Sequence, residues 1–342
     1  MRCYANLKTK FKTISVIKFN NSEIIDRLRR IISEKLSRLI PGDYILADAP
    51  YYHNIGDILI WQGIHDFCKT LPGRNLGTYD FITFNFPKIS VETTIILTGG
   101  GNFGDLWRGF QDFRLEVTKR YPDNRIVMLP QSVWYQNKNI IKADSIEFTK
   151  HKNLHFCARD NYSYNFFKKH YSTVDIHLVP DMALFIDDKI LQRYRNNTKP
   201  QKLFLRRLDK ELDASLSVIP NISEYAVHDW PTYERQDSRL KLIKRMQGIS
   251  YRSRNINILN SLTATLTAKI AQQIVRKHLL KTGLSFLSTY SEIVTTRLHT
   301  MILAFMLNLP VEYIDNTTGK LSAFYNTWLA DCKTIKRYNI HG

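Results

Sequence analysis

Thr296-Arg297-Leu298-His299 places an anion-binding side chain one residue away from a proton-transfer side chain. An arginine fork grips a carboxylate or phosphate through two parallel hydrogen bonds. A histidine exchanges a proton near neutral pH. The pair follows the apolar run Ile293-Val294-Thr295 and precedes the apolar stretch from Met301 to Leu309. If the backbone is still extended there, period-two alternation puts Arg297 and His299 on one face. If a helix has begun they diverge, although both stay near its positively polarised N-terminus. A solitary histidine is more often structural; one beside an arginine at a strand end points to a site.

Other strand ends carry similar candidates. In Asn54-Ile55-Gly56-Asp57, Asp57 is either the cap of the next helix or a base facing a cleft. Gly99-Gly100-Gly101-Asn102 leads into Phe103-Gly104-Asp105. Its glycines let backbone amides approach an anion, and they also suit a plain tight turn. The run is read neither as a dinucleotide fingerprint nor as an NTPase phosphate loop. Arg159-Asp160 is either an ion pair or an anion contact, and Arg206-Arg207 directly follows Lys202-Leu203-Phe204-Leu205.

These residues need elements to hold them. Tyr44–Ala47, Phe81–Phe84, Thr94–Leu97, Arg125–Leu129, Leu154–Ala158 and Asp175–Val179 read as short strands alternating with helical patterns. Lys202–Leu205, Ile293–Thr295 and Val311–Ile314 begin a second, smaller unit after a polar linker at 187–201. The fold expected is α/β, with two Rossmann-like domains facing across a cleft as in GT-B glycosyltransferases. The domains expected are a basic amphipathic segment at 1–40, an N-terminal α/β domain at 41–190, and a C-terminal α/β domain at 200–342. The last contains a basic insertion near 235–257, read either as a solvated insertion followed by a core helix from Ile258 to Leu279 or as a hairpin touching anionic lipid. The amphipathic helix at 23–40 is expected to pack on a domain, with a membrane surface as the alternative.

Charge demands a partner. There are 49 Lys and Arg against 31 Asp and Glu, a formal net charge of +18. Nucleic acid, an anionic membrane and phosphorylated substrates each fit that charge, but no nucleic-acid-binding motif accompanies it. Four cysteines (Cys3, Cys68, Cys157, Cys332) lack metal-ligand spacing and fit a reducing compartment. No apolar run is long enough to cross a membrane, and no signal peptide is read at the start, so a cytoplasmic protein is expected.

Together the motifs resemble the polysaccharide pyruvyl transferase family over about Tyr44 to Lys320. The quoted Asn-x-Gly-Asp and glycine-rich segments match its pattern, as do Ala158-Arg159-Asp160-Asn161-Tyr162-Ser163 and Pro180-Asp181-Met182-Ala183. The most specific match is Arg297-Leu298-His299 followed by an apolar helix and Pro310-Val311, with Lys320 downstream. Thr300 and Asn308 stand where the family commonly has glycine, and Met182 where it has proline. Among members, the chain is most similar to those of bacterial surface-polysaccharide clusters, capsular ones of the Bacteroides group included.

The resemblance implies transfer of a pyruvyl group from phosphoenolpyruvate to a sugar, a hexose such as galactose, as a 4,6-type ketal. Arg297 and Arg206 would clamp the donor, with Arg207 or Arg159 assisting. His299 would be a general acid or phosphate contact, and Asp57 a candidate base. Asn54, Gly100, Gly101, Asn102, Asp105, Asp181 and Lys320 would complete substrate binding, with no metal and no cofactor beyond the donor. The acceptor expected is a polyprenyl-diphosphate-linked oligosaccharide at the inner membrane face, met by Arg239, Lys241, Lys244 and Arg245. A nucleotide-sugar glycosyltransferase and a non-enzymatic module binding lipid or nucleic acid are the rivals.

Overall fold

The structure, a computed structural model, describes residues 20–195, 199–209, 211, 224–235, 237–315 and 317–339. Helix α1 (Asn21–Leu39) opens on a capping box, in which Asn20 and Glu23 each satisfy the other's backbone amide. Its stripe of Ile24, Ile25, Leu28, Ile32, Leu36 and Leu39 is buried. Arg29 donates to the Leu184 and Ile186 carbonyls at 2.9 and 2.5 Å. The apolar face is therefore used inside the molecule, which removes the membrane-surface alternative for this helix.

The first sheet holds β1 (Tyr44–Leu46), β2 (Asn75–Thr78), β3 (Thr94–Leu97), β4 (Gly100–Gly104), β5 (Ile126–Trp134), β6 (Leu154–Ala158) and β7 (Asp175–Leu178). Its order is β2-β1-β3-β5-β6-β7, with β4 also paired to β5, and every described pairing is parallel. Helices α2 (Ile55–Cys68), α3 (Arg108–Arg120), α4 (Lys138–Thr149) and α5 (Asn161–His170) connect the strands, and α6 (Asp188–Leu191) follows the sheet. A parallel sheet buried on both faces selects continuous apolar strands, as in the fully buried Thr94–Leu97.

The second sheet holds β8 (Lys202–Leu205), β9 (Tyr225–His228), β10 (Glu292–Thr295), β11 (Val311–Tyr313) and β12 (Ile335–Arg337), in the order β12-β11-β10-β8-β9 and again parallel. Its helices are α7 (Pro231–Glu234), α8 (Ser238–Arg252), α9 (Asn257–Ile270), α10 (Lys277–Leu287), α11 (Leu298–Met306) and α12 (Lys320–Phe324), with a π-helical stretch at Ala271–Arg276 joining α9 to α10.

Two strand expectations are corrected. Phe81–Phe84 is a turn, because Phe84 packs edge-on against Tyr79 and Phe113 at ring separations of 5.5 and 5.7 Å. Strand β5 does not stop at Leu129. Pro130 falls between two partners, since Met128 pairs with Leu97 and Gln131 with Gly100, so its missing amide breaks no ladder bond there.

One hydrophobic cluster runs through both halves, including Leu28 of α1, Ile58 of α2, Leu205 of β8 and Met301 of α11. Within it α2 lies directly on the 182–185 turn. A Cβ on Gly63 would overlap the Met182 carbonyl, so only glycine permits that approach.

Candidate active site

The carboxyl ends of strands from both sheets surround a cavity of about 770 Å³. On the first-sheet side, Asn54 caps α2 by accepting from the Gly56 amide at 3.0 Å. Asp57 is thus not the cap. Its Oδ2 accepts from Asn54 Nδ2 at 2.8 Å and from the Tyr52 hydroxyl at 3.0 Å, and the carboxylate lines the cavity. Burial and the adjacent Asp57 keep the Tyr52 phenol well above its ordinary range.

Gly101 and Asn102 form the neighbouring wall. A Cβ on Gly101 would lie 3.0 Å from Arg159 Nη2 and 3.4 Å from Lys320 Nζ, so glycine lets both cations settle on the backbone. Gly99, Gly101 and Gly104 do have G-x-G-x-x-G spacing. Gly101 and Gly104 lie in β4, with Gly99 just before it, and none opens a helix, so no helix N-terminus stands over them. Asn102 Oδ1 accepts from the buried Arg114 at 2.7 Å.

Asp181 joins the two halves. Its Oδ2 accepts from Arg159 Nη1 at 2.9 Å and from His299 Nε2 at 3.3 Å, while Oδ1 accepts from the Ala183 amide at 2.9 Å. Burial alone would raise this carboxyl's pKa, but His299 and Arg159 hold it well below the usual range. Arg159 is itself buried and donates from Nε to Ser132 at 2.7 Å.

Beyond β8, Arg207 forms a fork with Asp209 at 2.8 and 2.9 Å and lies 3.0 Å from Glu211. Burial works against the Asp209 charge, but Arg207 and Arg297 bring its carboxyl down to about 2. Arg297 is the extended N-cap residue of α11, with φ −111° and ψ 124°, and the helix begins at Leu298. The diverging geometry therefore holds. Arg297 binds Asp229 at 2.5 and 2.6 Å and Asp209 at 3.2 Å, and stacks 4.6 Å above the Tyr233 ring. Those acids keep it firmly protonated despite burial. His299 instead reaches across to Asp181.

Lys320 opens α12 and donates to Glu211. Burial lowers its pKa to about 8; Glu211 opposes the change, and Arg207 and Arg159 add to it. Arg159, Arg207, Arg297, His299, Lys320, Asn54, Asp57, Gly101 and Asn102 all line the cavity. Gly100, at φ 134°, sits behind Asp57, and Asp181 lies beneath the wall.

Of the remaining expected residues, the structure brings only Lys244 into this wall. Arg206 is not a lining residue; it has the strand parity of Phe204, which packs on the opposite face with Val294 and Ile314. Asp105 instead accepts from the Gln136 and Asn137 amides at 2.8 and 2.7 Å, fastening the exits of β4 and β5 together. Arg239, Lys241 and Arg245 are exposed on α8, whereas Lys244 lines the cavity. Asp209, Glu211, Asp229, Tyr52, Tyr233 and Gln247 were not anticipated. Only the Arg-x-Asp spacing at 207–209 offered a sequence signal.

The three departures from the family pattern also have places. Asn308 follows α11 with φ 60°, the left-handed conformation that favours glycine or asparagine at a helix end. Met182 is the residue against Gly63, and Thr300 is buried with no partner for its hydroxyl among the described residues. Cys68, Cys157 and Cys332 are unbridged; Cys3 lies outside the described residues. Among those residues no group of three or more His, Cys, Asp or Glu side chains is placed to hold a metal ion, and no helix is long and apolar enough to cross a membrane.

Fold and site define a two-sheet parallel α/β protein with a cation-walled pocket at its strand ends, an arrangement suited to group transfer on charged substrates. The sequence model of the family "Polysaccharide pyruvyl transferase" matches residues 54–318. The chain belongs to that family and is a transferase enzyme. It is 33% identical to "Putative pyruvyl transferase EpsO" of Bacillus subtilis, over 87% of this chain and 90% of that protein. It is 27% identical to "Pyruvyl transferase 1" of Schizosaccharomyces pombe, over 70% of this chain and 56% of that one. An uncharacterized Klebsiella pneumoniae protein of known crystal structure shares the fold. The TM-score is 0.57 at 16% identity, covering 91% of this chain and 98% of the other. Family membership leaves the glycosyltransferase and non-enzymatic readings without support.

Proposed function

We propose that the enzyme transfers the pyruvyl group of phosphoenolpyruvate to two hydroxyls of a hexose, forming a 4,6-type ketal and releasing phosphate. The observation that carries this reading is the convergence of Arg159, Arg207, Arg297, Lys320 and His299 on one cavity. A small donor bearing both a carboxylate and a phosphate needs several cations at once. Arg207 takes the clamping role expected of Arg206, with Arg159 and Lys320 beside it. Arg297 presents its guanidinium at that corner, its direction fixed by Asp229.

With Nε2 set against the Asp181 carboxylate, Nδ1 is the ring nitrogen this reading uses for proton transfer. His299 delivers its proton to the donor's methylene carbon. A sugar hydroxyl, relieved of its proton by Asp57, attacks the resulting oxocarbenium-like carbon. The carbon–oxygen bond to phosphate then breaks, and the second hydroxyl closes the ketal. One hydroxyl proton balances the new methyl hydrogen, and the other leaves with phosphate. In this reading the sheets face each other as in GT-B enzymes, and the acceptor is a polyprenyl-diphosphate-linked oligosaccharide at the inner face of the cytoplasmic membrane.

Purified enzyme is expected to release phosphate from phosphoenolpyruvate only with a sugar acceptor, which gains the mass of one pyruvyl ketal. His299→Ala should slow release by roughly 10²–10⁴-fold. Undiminished release by that variant would remove His299 from the chemistry, and release without acceptor would refute transfer.

A further inference from the structure

Over most of its length the α8–α9 hairpin has its amphipathicity reversed. Ile243, Gln247, Ser250, Asn260, Ala264, Thr267 and Ala268 are the buried helix residues, and Ile243 is the one large aliphatic among them. Gln247 donates to Asp80 at 2.6 Å, and Asn260 to the Ser250 carbonyl at 2.9 Å. Ile243 and Leu240 face the core, but most of the large aliphatics point outward: Ile258 is 78% exposed, Leu262 63% and Ile256 59%, joined by Leu242, Ile249 and Leu266. A helix serving a core does the opposite. The core-helix reading of 258–279 therefore fails over the Ile258–Leu266 part and holds from Ala271 onward, where Val275 and Leu279 are buried.

An exposed apolar patch of this kind marks a docking surface, and its surroundings identify the partner. No acidic residue occurs from Ser238 to Ser291. Lys241, Arg245, Arg252, Arg254 and Lys269 are exposed on the same hairpin. Aliphatics among cations, without acids, match the headgroup and acyl boundary of an anionic bilayer. A second copy fits poorly, because a symmetric contact would set this cationic face against itself. The inner side of α8 also supplies Lys244, Gln247 and Tyr251 to the cavity wall, so a membrane beneath the hairpin would lie beside the active site.

We infer that the α8–α9 hairpin seats the enzyme on an anionic phospholipid bilayer, with Ile256, Ile258, Leu262 and Leu266 in the interface. Lys241, Arg245 and Arg254 meet the headgroups. The biological purpose rests on the lipid-linked acceptor proposed above; the seating itself does not depend on the donor.

Full-length protein is tested by co-sedimentation with phosphatidylcholine vesicles, with and without phosphatidylglycerol, at low and high salt. Parent protein is expected to bind the anionic vesicles and to keep part of that binding in high salt. Replacing Ile258, Leu262 and Leu266 together by serine should lower binding about a hundredfold with circular dichroism and Tm unchanged. Lys241→Gln with Arg245→Gln should lower it about tenfold at low salt. Undiminished binding of the serine variant would overturn the inference. So would a parent dimer that the serine variant converts to monomer, since a second copy would then cover the face. Binding is read without donor or acceptor, so a failed phosphate-release assay would count against the proposed chemistry alone.

Discussion

Buried beside Arg159 and Arg207, the Lys320 ammonium titrates at about 8 instead of near its ordinary 10.5. A lysine whose value is depressed carries its charge below that pH and loses it as pH rises through it. If Lys320 helps hold the donor phosphate, kcat/KM should fall as pH rises through about 8, because that ratio reports the free enzyme. Lys320→Arg, which stays protonated, should move this limb upward, and phosphate-release profiles would show it; an unmoved limb would assign it to another group. The sequence made Arg297, His299, Asp57 and Arg159 legible, because side chains at strand ends announce themselves by type, whereas Lys320 came only from the family resemblance. It could not choose Arg207 over Arg206, since the choice depends on which face of β8 meets the cavity. The neutralising acids were hidden for another reason: Asp229 lies 68 residues before Arg297, too far for spacing to pair them.

At the scale of elements, the contact of α2 with the 182–185 turn carries the clearest consequence. Gly63→Ala would force a Cβ into the Met182 backbone, next to Asp181. Overpacking of this sort costs about 1–3 kcal/mol, to be read by urea denaturation, and turnover should drop about tenfold as Asp181 shifts. Retention of full stability would mean that α2 can slide away freely. Continuous apolar runs made β3, β6 and β8 readable almost to the residue. Strands β2, β4 and β12 escaped because glycine, polar or charged residues dominate them. Phe81–Phe84 misled because aromatic residues suit strands, while here they fill an aromatic cluster from a turn. The reversed hairpin shows the same limit: periodicity locates an apolar stripe but does not say which side is covered.

Considered whole, the molecule has two sheets but a shared interior. Cluster members from α1, α2, β8 and α11 interlock across the halves, so heating should produce one cooperative calorimetric transition. Two resolved transitions would show that the halves keep separate cores. The charge of +18 was plain from composition, yet only the placement of cations divides it between the cavity and the outer hairpin. Asp181 bears on a different question, that of modular exchange between relatives. Its carboxylate comes from the first half and the histidine it orients from the second. A chimera spliced at the linker therefore needs more than two intact halves. It inherits the Asp181–His299 pair only if the 180–183 segment and the start of α11 still meet at bonding distance.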